Sequence, residues 1–470
     1  MTGRDGMADL EVEMLRTRAR KGDLDAQFDL ALRYSDGLGV PESASTAFRW
    51  LERAAGEGHV EAMAALGRCY HGGLGVEVDE GAALRWYERA FDAGSDDVHL
   101  DLGQLLSAAD SQVRDVARAV QILEEGWESH EDAACAGLLG ELFEEELADD
   151  EAALRWLRLA ADGGDTSAMV TLGYRHRFGE GVPQDLSEML RWYRAAAAEE
   201  DPTAIANLAI CYQNGEGVRE DEVRAYEFRE RAAALGHPGS EIWLAFAMVD
   251  GTGCEPDAEA GLLLLEQLAE DNSEVAHDLA DRLLDGPGLE QDQEAGLKWM
   301  RSAAERGHAS AITYLGVLYW YGKFVDEDRA RAMEYYRQAM EFGDPYAVAN
   351  VGFATMEGEG VERDVERGLT LVRSSAGRGN AHAALWLCDR YLEGAPDIER
   401  DEAEAVRVLE SCIAEEEDGD VLFRLAELVL EGRGADADPG RALQLFELAS
   451  INGRDTRLER AKLRRQLRER

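Results

Sequence analysis

Lysine is nearly missing from this 470-residue chain: Lys21, Lys298, Lys323 and Lys462 are all there are among 49 lysines and arginines. Positive charge is therefore almost all arginine, which fits a GC-rich genome or a salty habitat equally well. Also missing is any apolar run near the ~20 residues that a membrane-spanning helix needs. The opening MTGRDGMADLEVEMLR has no apolar core between its charges, so no secretory leader is expected and the cytoplasm is the expected location. Six cysteines (Cys69, Cys135, Cys211, Cys254, Cys388, Cys412) make no C-x-x-C pair and no disulfide-type framework, so reduced, mostly buried thiols are expected. The ingredients of catalysis are lacking as well: no nucleophile beside a base, no metal-ligand spacing, and glycine turns that follow helices and lack a phosphate-loop lysine. No enzymatic activity, cofactor or metal is expected.

What is abundant is negative charge. The formal net charge of -47 is spread along the body in short clusters. Such a field disfavours nucleic acid and anionic membrane and favours basic partners. A merely solvated, self-repelling surface has the same composition. With 45% apolar residues, wholesale disorder is excluded.

Internal repetition is the decisive feature. GLGV begins at 37 and 73, and GEGV at 179, 215 and 358; GTGC at 251, GPGL at 286, GKFV at 322, GAPD at 394 and GRGA at 432 fill the series. The spacing is 36 residues, and the gap from 73 to 179 holds three periods, hence two degenerate copies. Ahead of each turn stands a helical pattern such as EAMAALGRCY, with Ala62, Leu66, Gly67 and Tyr70 on one face; the glycine lets a neighbouring helix approach closely. After the turn comes a second amphipathic pattern with one aromatic knob: Ala47-Trp50-Ala54, Ala83-Trp86-Ala90, Ala153-Trp156-Ala160, Ala225-Phe228-Ala232 and Ala332-Tyr335-Ala339.

An aspartate precedes many of these second helices: Asp79, Asp185, Asp221, Asp257, Asp292, Asp328, Asp364 and Asp438. Recurring carboxylates could hold a metal, but at this place they are expected to cap the helix N-terminus. Gly58-His59, Gly236-His237 and Gly307-His308 are expected to close second helices. A helix–turn–helix unit of this size cannot bury its apolar stripe alone, so stacking is compulsory. An all-α stack of about twelve such units follows, with 1–24 an N-terminal segment and capping helix and 25–95 the first two copies. Copies three and four span 96–165, and SAADSQVRDVARA and EEELADDEAA lack the glycine turn there, so the stack is expected to change curvature or loosen between about 105 and 152. Copies five to twelve span 166–453, and the basic segment 454–470 is expected to be a capping helix or a tail docked on the acidic body.

These motifs resemble the Sel-one-like repeat (SLR) family, relatives of the tetratricopeptide repeat. A-x-x-x-L-G-x-x-Y-x-x-G-x-G-V, then D, then A-x-x-W-x-x-x-A is nearly intact in the second copy, and the likeness covers 25–453. The resemblance implies a right-handed α/α superhelical solenoid with first helices lining the concave side, and a role as a bacterial adaptor in signalling or assembly. Some relatives are secreted, or carry paired cysteines with a suggested hydrolase role; that pairing is missing here.

Function is then sought on the first helices. With the pattern leucine of each copy as zero, positions -4, 0, +1 and +4 form the buried face, while -5, -1, +3 and +6 share one flank. In the second half this flank gathers Asn207, Asn214, Trp243, Tyr314, Tyr321, Asn350, Trp386 and Arg390. Amides can bond both edges of an extended peptide, and flat aromatics give contact area at little entropic cost. A protein or peptide partner on this groove is the expected function. The plainer reading is that Trp243 and Trp386 pack between adjacent copies. Arg33, Arg175, Arg282 and Arg390 share the +3 column, where they can answer an acidic ligand or pair with local glutamates. The alternative role is an acidic structural or inhibitory protein masking a basic partner.

Overall fold

The computed structural model describes residues 5–286, 288–396 and 398–469. Pro287 of the turn at 286, Asp397 of the turn at 394, and the extreme ends of the two capping segments (1–4 and 470) lie outside the described residues. Among the described residues there are twenty-six helices and no strand. They read as one leading helix (Asp5–Arg20), twelve helix pairs, and one closing helix (Arg457–Glu469). The chain divides into two compact units, Met1–Trp243 and Leu244–Arg470.

Copy two shows how the sequence builds a pair. Its first helix, Val60–Gly72, buries Ala62, Leu66 and Gly67 and stops where Gly73 turns left-handed at φ +69°. Its second, Glu80–Asp92, starts where the Asp79 carboxylate accepts from the Ala82 amide at 2.7 Å. All eight aspartates of the sequence pattern cap in this way, each worth about 1 kcal/mol of helix stability. Gly67 lies against the Tyr87 ring, closer than any Cβ could be tolerated. Tyr87 is wholly buried with its hydroxyl unpaired, so about 1–3 kcal/mol of desolvation offsets part of the ring's burial. The second turn glycine packs on the preceding copy: a side chain at Gly75 would strike the Ala44 carbonyl. Arginines add ties between copies, Arg231 donating to the Ala197 carbonyl at 2.9 Å and Arg306 to those of Ala269 and Glu270 at 2.7 Å. A planar fork reaches two carbonyls at once in a fixed geometry, where lysine offers only a flexible point charge.

Two expectations need correction. The histidines do not close second helices: Gly58, Gly236 and Gly307 do, at φ +103°, +85° and +85°. His59 and His308 instead cap the next helix, their Nδ1 atoms accepting from Ala62 and Ala311 at 3.2 Å, and His237 accepts from Ser240 at 3.1 Å. They stand where Asp165, Asp201 and Asp344 stand in other copies. Copies three and four are not loose. In copy three the glycine turn is replaced by a shortened first helix, Val98–Ser107, and a tie from Glu80, which accepts from the Gln112 amide at 2.6 Å. Leu105, Leu123, Leu139 and Leu157 join one continuous core there.

At the far end, Leu463 of the closing helix is 2% exposed and completes the core of the last copies. Arg464 pairs with Glu447 at 2.5 Å, so the basic segment lies on its own acidic body. Five cysteines are buried and Cys254 is half-buried, none in a disulfide. Burial pushes the Cys135 thiol up to about 12 and those of Cys211, Cys388 and Cys412 up to about 11. No helix among the described residues is long and apolar enough to cross a membrane.

Candidate partner-binding site

The first helices of copies nine, ten and eleven are Ala309–Tyr321, Pro345–Glu357 and Ala381–Glu393. Side chains on them surround a cavity of about 540 Å³ in the second unit. Tyr321, Asn350, Trp386 and Arg390, four of the eight flank residues, meet in its lining. The local reason is register: a 36-residue period returns each flank position to the same side of the stack, so +6 of copy nine, -1 of copy ten, and -1 and +3 of copy eleven converge.

The aromatic wall is made by Trp320, Tyr321, Tyr336, Phe353 and Trp386. Phe353 and Trp386 meet edge to face, centroids 5.1 Å apart at 69°, an arrangement that holds both rings. Trp320 lies 6.2 Å from Tyr336 and carries the Arg329 guanidinium 5.2 Å above its ring. Arg329 is in turn held by Glu359 at 2.8 Å and Glu327 at 3.0 Å. Polar groups at the rim are Asn350, Arg363, His382, Arg390 and Glu357.

The remaining wall is the turn after copy eleven's first helix. Gly394 (φ +80°, ψ 151°) does not adopt the left-handed helical conformation of Gly322, Gly358 and Gly432 in the neighbouring copies. The chain instead makes a narrow loop in which Ala395 and Ile398 exchange backbone hydrogen bonds at 2.8 and 3.1 Å. Ile398 is buried by this loop and joins Ala395 and Pro396 in the lining.

The other four flank residues lie elsewhere. Asn207 is half-buried on the first helix of copy six, and the Asn214 amide is spent on Glu216 at 3.0 Å. Glu216 is itself bound by Arg177 through two bonds of 2.5 and 2.6 Å, which hold its carboxyl below the usual range. Trp243 packs on its neighbours in the first unit, with Tyr226 at 6.3 Å and the Arg229 guanidinium 5.4 Å over its ring. Tyr314 is half-buried outside the cavity, its phenol raised by burial. The arginine column splits as well. Arg175 pairs with Glu144 at 2.6 Å and Arg282 with Asp250 at 2.5 Å, each a carboxylate of the preceding copy. Arg390 has no carboxylate within 4 Å among the described residues and lies 5.1 Å over the Trp386 ring.

Flank periodicity missed Phe353, Trp320, Tyr336 and the 395–398 loop. The departure of GAPD from the glycine-x-glycine turn was the one available signal for the loop. Tyr336 follows the core periodicity of the second helices, while Trp320 and Phe353, at +5 and +2 of their first helices, belong to neither the buried face nor the flank, so none of them signals a cavity.

The Sel1 repeat family model matches this chain at 24–59, 60–95, 134–165, 166–201, 202–237, 238–273, 273–308, 309–341, 345–380, 381–407 and 420–453. The stretch between 95 and 134, which it does not match, holds the helix pair Val98–Ser107 and Val116–His130, so the stack is unbroken there. No curated protein matches the chain. Among solved structures, a protective antigen of uropathogenic Escherichia coli displaying an SLR fold is 26% identical, with 97% of this chain and 90% of that one covered and a TM-score of 0.52. A Sel1 repeat protein from Oxalobacter formigenes is 23% identical over 70% of this chain and 93% of that one, TM-score 0.44. Yeast Tom70 is 14% identical over 94% of each, TM-score 0.40.

Proposed function

Because the chain belongs to the Sel1 repeat family, whose arrays generally mediate protein–protein interaction, we propose that it is an adaptor holding a partner segment on the first-helix face of copies nine to eleven. One observation carries this reading: Tyr321, Asn350, Trp386 and Arg390 come from three successive copies and share one cavity of about 540 Å³. Aromatic walls supply contact area, and the Asn350 amide can bond an extended backbone on both edges. A bacterial setting and assembly or signalling complexes are the context we infer from the family. Cytoplasmic action is supported by the unbridged thiols.

The test is retention of the native partner by the immobilised protein at low and high salt. A site with aromatic anchors keeps its partner when charge is screened, and Trp386→Ala with Asn350→Ala releases it. Loss of the partner in high salt alone, with the double variant still binding, would favour the reading of a diffuse acidic surface masking a basic protein.

A further inference from the structure

The net charge of -47 points toward basic partners, yet the cavity itself has the opposite chemistry. Three of its lining side chains, Tyr336, Asn350 and Arg390, can donate hydrogen bonds to a ligand. Tyr336 is 2% exposed and lines the cavity, and its hydroxyl has no hydrogen-bond partner among the described residues. Asn350 offers its amide. Arg390, stacked on Trp386, presents a guanidinium that no carboxylate among the described residues answers. Against these stands Glu357, the single carboxylate in the described lining.

Comparison within the array shows why Arg390 is unanswered. In copy five, Arg175 reaches back to Glu144, five places after the pattern leucine of copy four. The same place in copy ten is Met356, which lines the cavity and brings apolar surface where a carboxylate would be. At this step of the array the arginine is present and the carboxylate that pairs with it elsewhere is not. A basic ligand would meet Trp320 and Trp386 already covered by Arg329 and Arg390 and would add like charge beside them. A ligand carboxylate, by contrast, completes a charge-assisted bond at a guanidinium held flat by stacking, where less freedom is lost on binding.

Resting on the interaction reading above, we propose that the cavity takes an extended acidic segment, one that sets an aspartate or glutamate carboxylate against Arg390 and the Tyr336 hydroxyl. A neighbouring bulky apolar side chain then packs against the joined rings of Phe353 and Trp386. The recognition is local and of opposite sign to the field of the whole chain, so affinity falls at very low salt, where the acidic body repels the segment most, in contrast to a basic ligand.

A displayed library of random linear peptides, panned on the full-length protein and on its variants, tests this directly. The wild type is expected to enrich peptides pairing an acidic with a large apolar residue. Arg390→Glu, at an exposed position that leaves the fold intact, should weaken them about tenfold to a hundredfold, the range for a hydrogen bond to a charged group. Tyr336→Phe should give a smaller loss in the same peptides. Enrichment of basic peptides, or of acidic ones indifferent to Arg390→Glu, overturns this inference and leaves the interaction face standing. Absence of any peptide whose selection depends on Trp386 overturns both.

Discussion

Replacing Arg229 by leucine should make the protein more stable. In the second helices, the residue four places after the pattern alanine is a core side chain: Leu51, Tyr87, Tyr193, Met300, Val372 and Phe446 are all at most 5% exposed. In copy six that place holds Arg229, 8% exposed, with its Nε–H buried and unpaired. Burial pushes the guanidinium below its ordinary value, so the cation is less well solvated folded than unfolded. Its charge therefore subtracts from stability at every pH at which the protein is handled. Relief of the unpaired donor is worth about 1–3 kcal/mol, and a buried leucine about 1.5–3 kcal/mol against an exposed one, part of which the arginine stem already gains. The contact with Trp243 at 5.4 Å that would be lost is worth about 0.5–2 kcal/mol. The balance is a gain of about 1–3 kcal/mol. In a unit of this size each kcal/mol moves the midpoint by about 2–4 °C, so calorimetry of wild type and Arg229→Leu should show the transition of the first unit rising by several degrees. An unchanged or lower midpoint would refute the reasoning and mean that Arg229 is stabilised by an acceptor.

Two further outcomes follow from the turns and caps. Gly75→Ala combines a left-handed φ of +76° with a collision against the Ala44 carbonyl, whereas Gly94→Ala has φ +82° and nothing within 4 Å. Gly94→Ala should cost about 1–2 kcal/mol of backbone strain, and Gly75→Ala clearly more, as read from urea midpoints; equal losses would dismiss the contact between copies. Burial and the neighbouring His277 depress His308, and burial and Arg229 depress His237. Both caps are therefore fully present above the ordinary histidine value and are lost as pH falls through the folded value. His308→Asp should shrink the drop in melting temperature between pH 7.5 and 5.5 relative to wild type, by the ~1 kcal/mol of one cap; an identical drop would show that the imidazole keeps its cap when charged.

Most of the architecture was legible because it repeats. Twelve copies give twelve chances to see which positions alternate, and the glycines, aspartates and first-helix alanines carry backbone geometry that few other residues tolerate. What failed to repeat was harder to read. His59 and His308 share a position with aspartate caps of other copies, but a histidine after a glycine looks like the end of one helix as much as the start of the next. Copies three and four lost the glycine turn, and nothing in SAADSQVRDVARA announces that Glu80 of the preceding copy will hold the loop. For the candidate site, flank periodicity brings Tyr321, Asn350, Trp386 and Arg390 together because their copies are adjacent. The same periodicity also selects Asn214 and Trp243, whose partners Glu216 and Arg229 follow no flank rule. Whether a polar side chain is free or spent depends on neighbours a copy away.

The most direct test of the interaction face is a photo-crosslinking amino acid placed at Tyr321, 74% exposed on the cavity lip, and, in a separate variant, at Phe342, 55% exposed and outside the lining, each expressed in the native host. A discrete adduct at 321 that disappears with Trp386→Ala, and no such adduct at 342, is the predicted result. An adduct at 342 without one at 321, or one at 321 that survives Trp386→Ala, would contradict the assignment of this face.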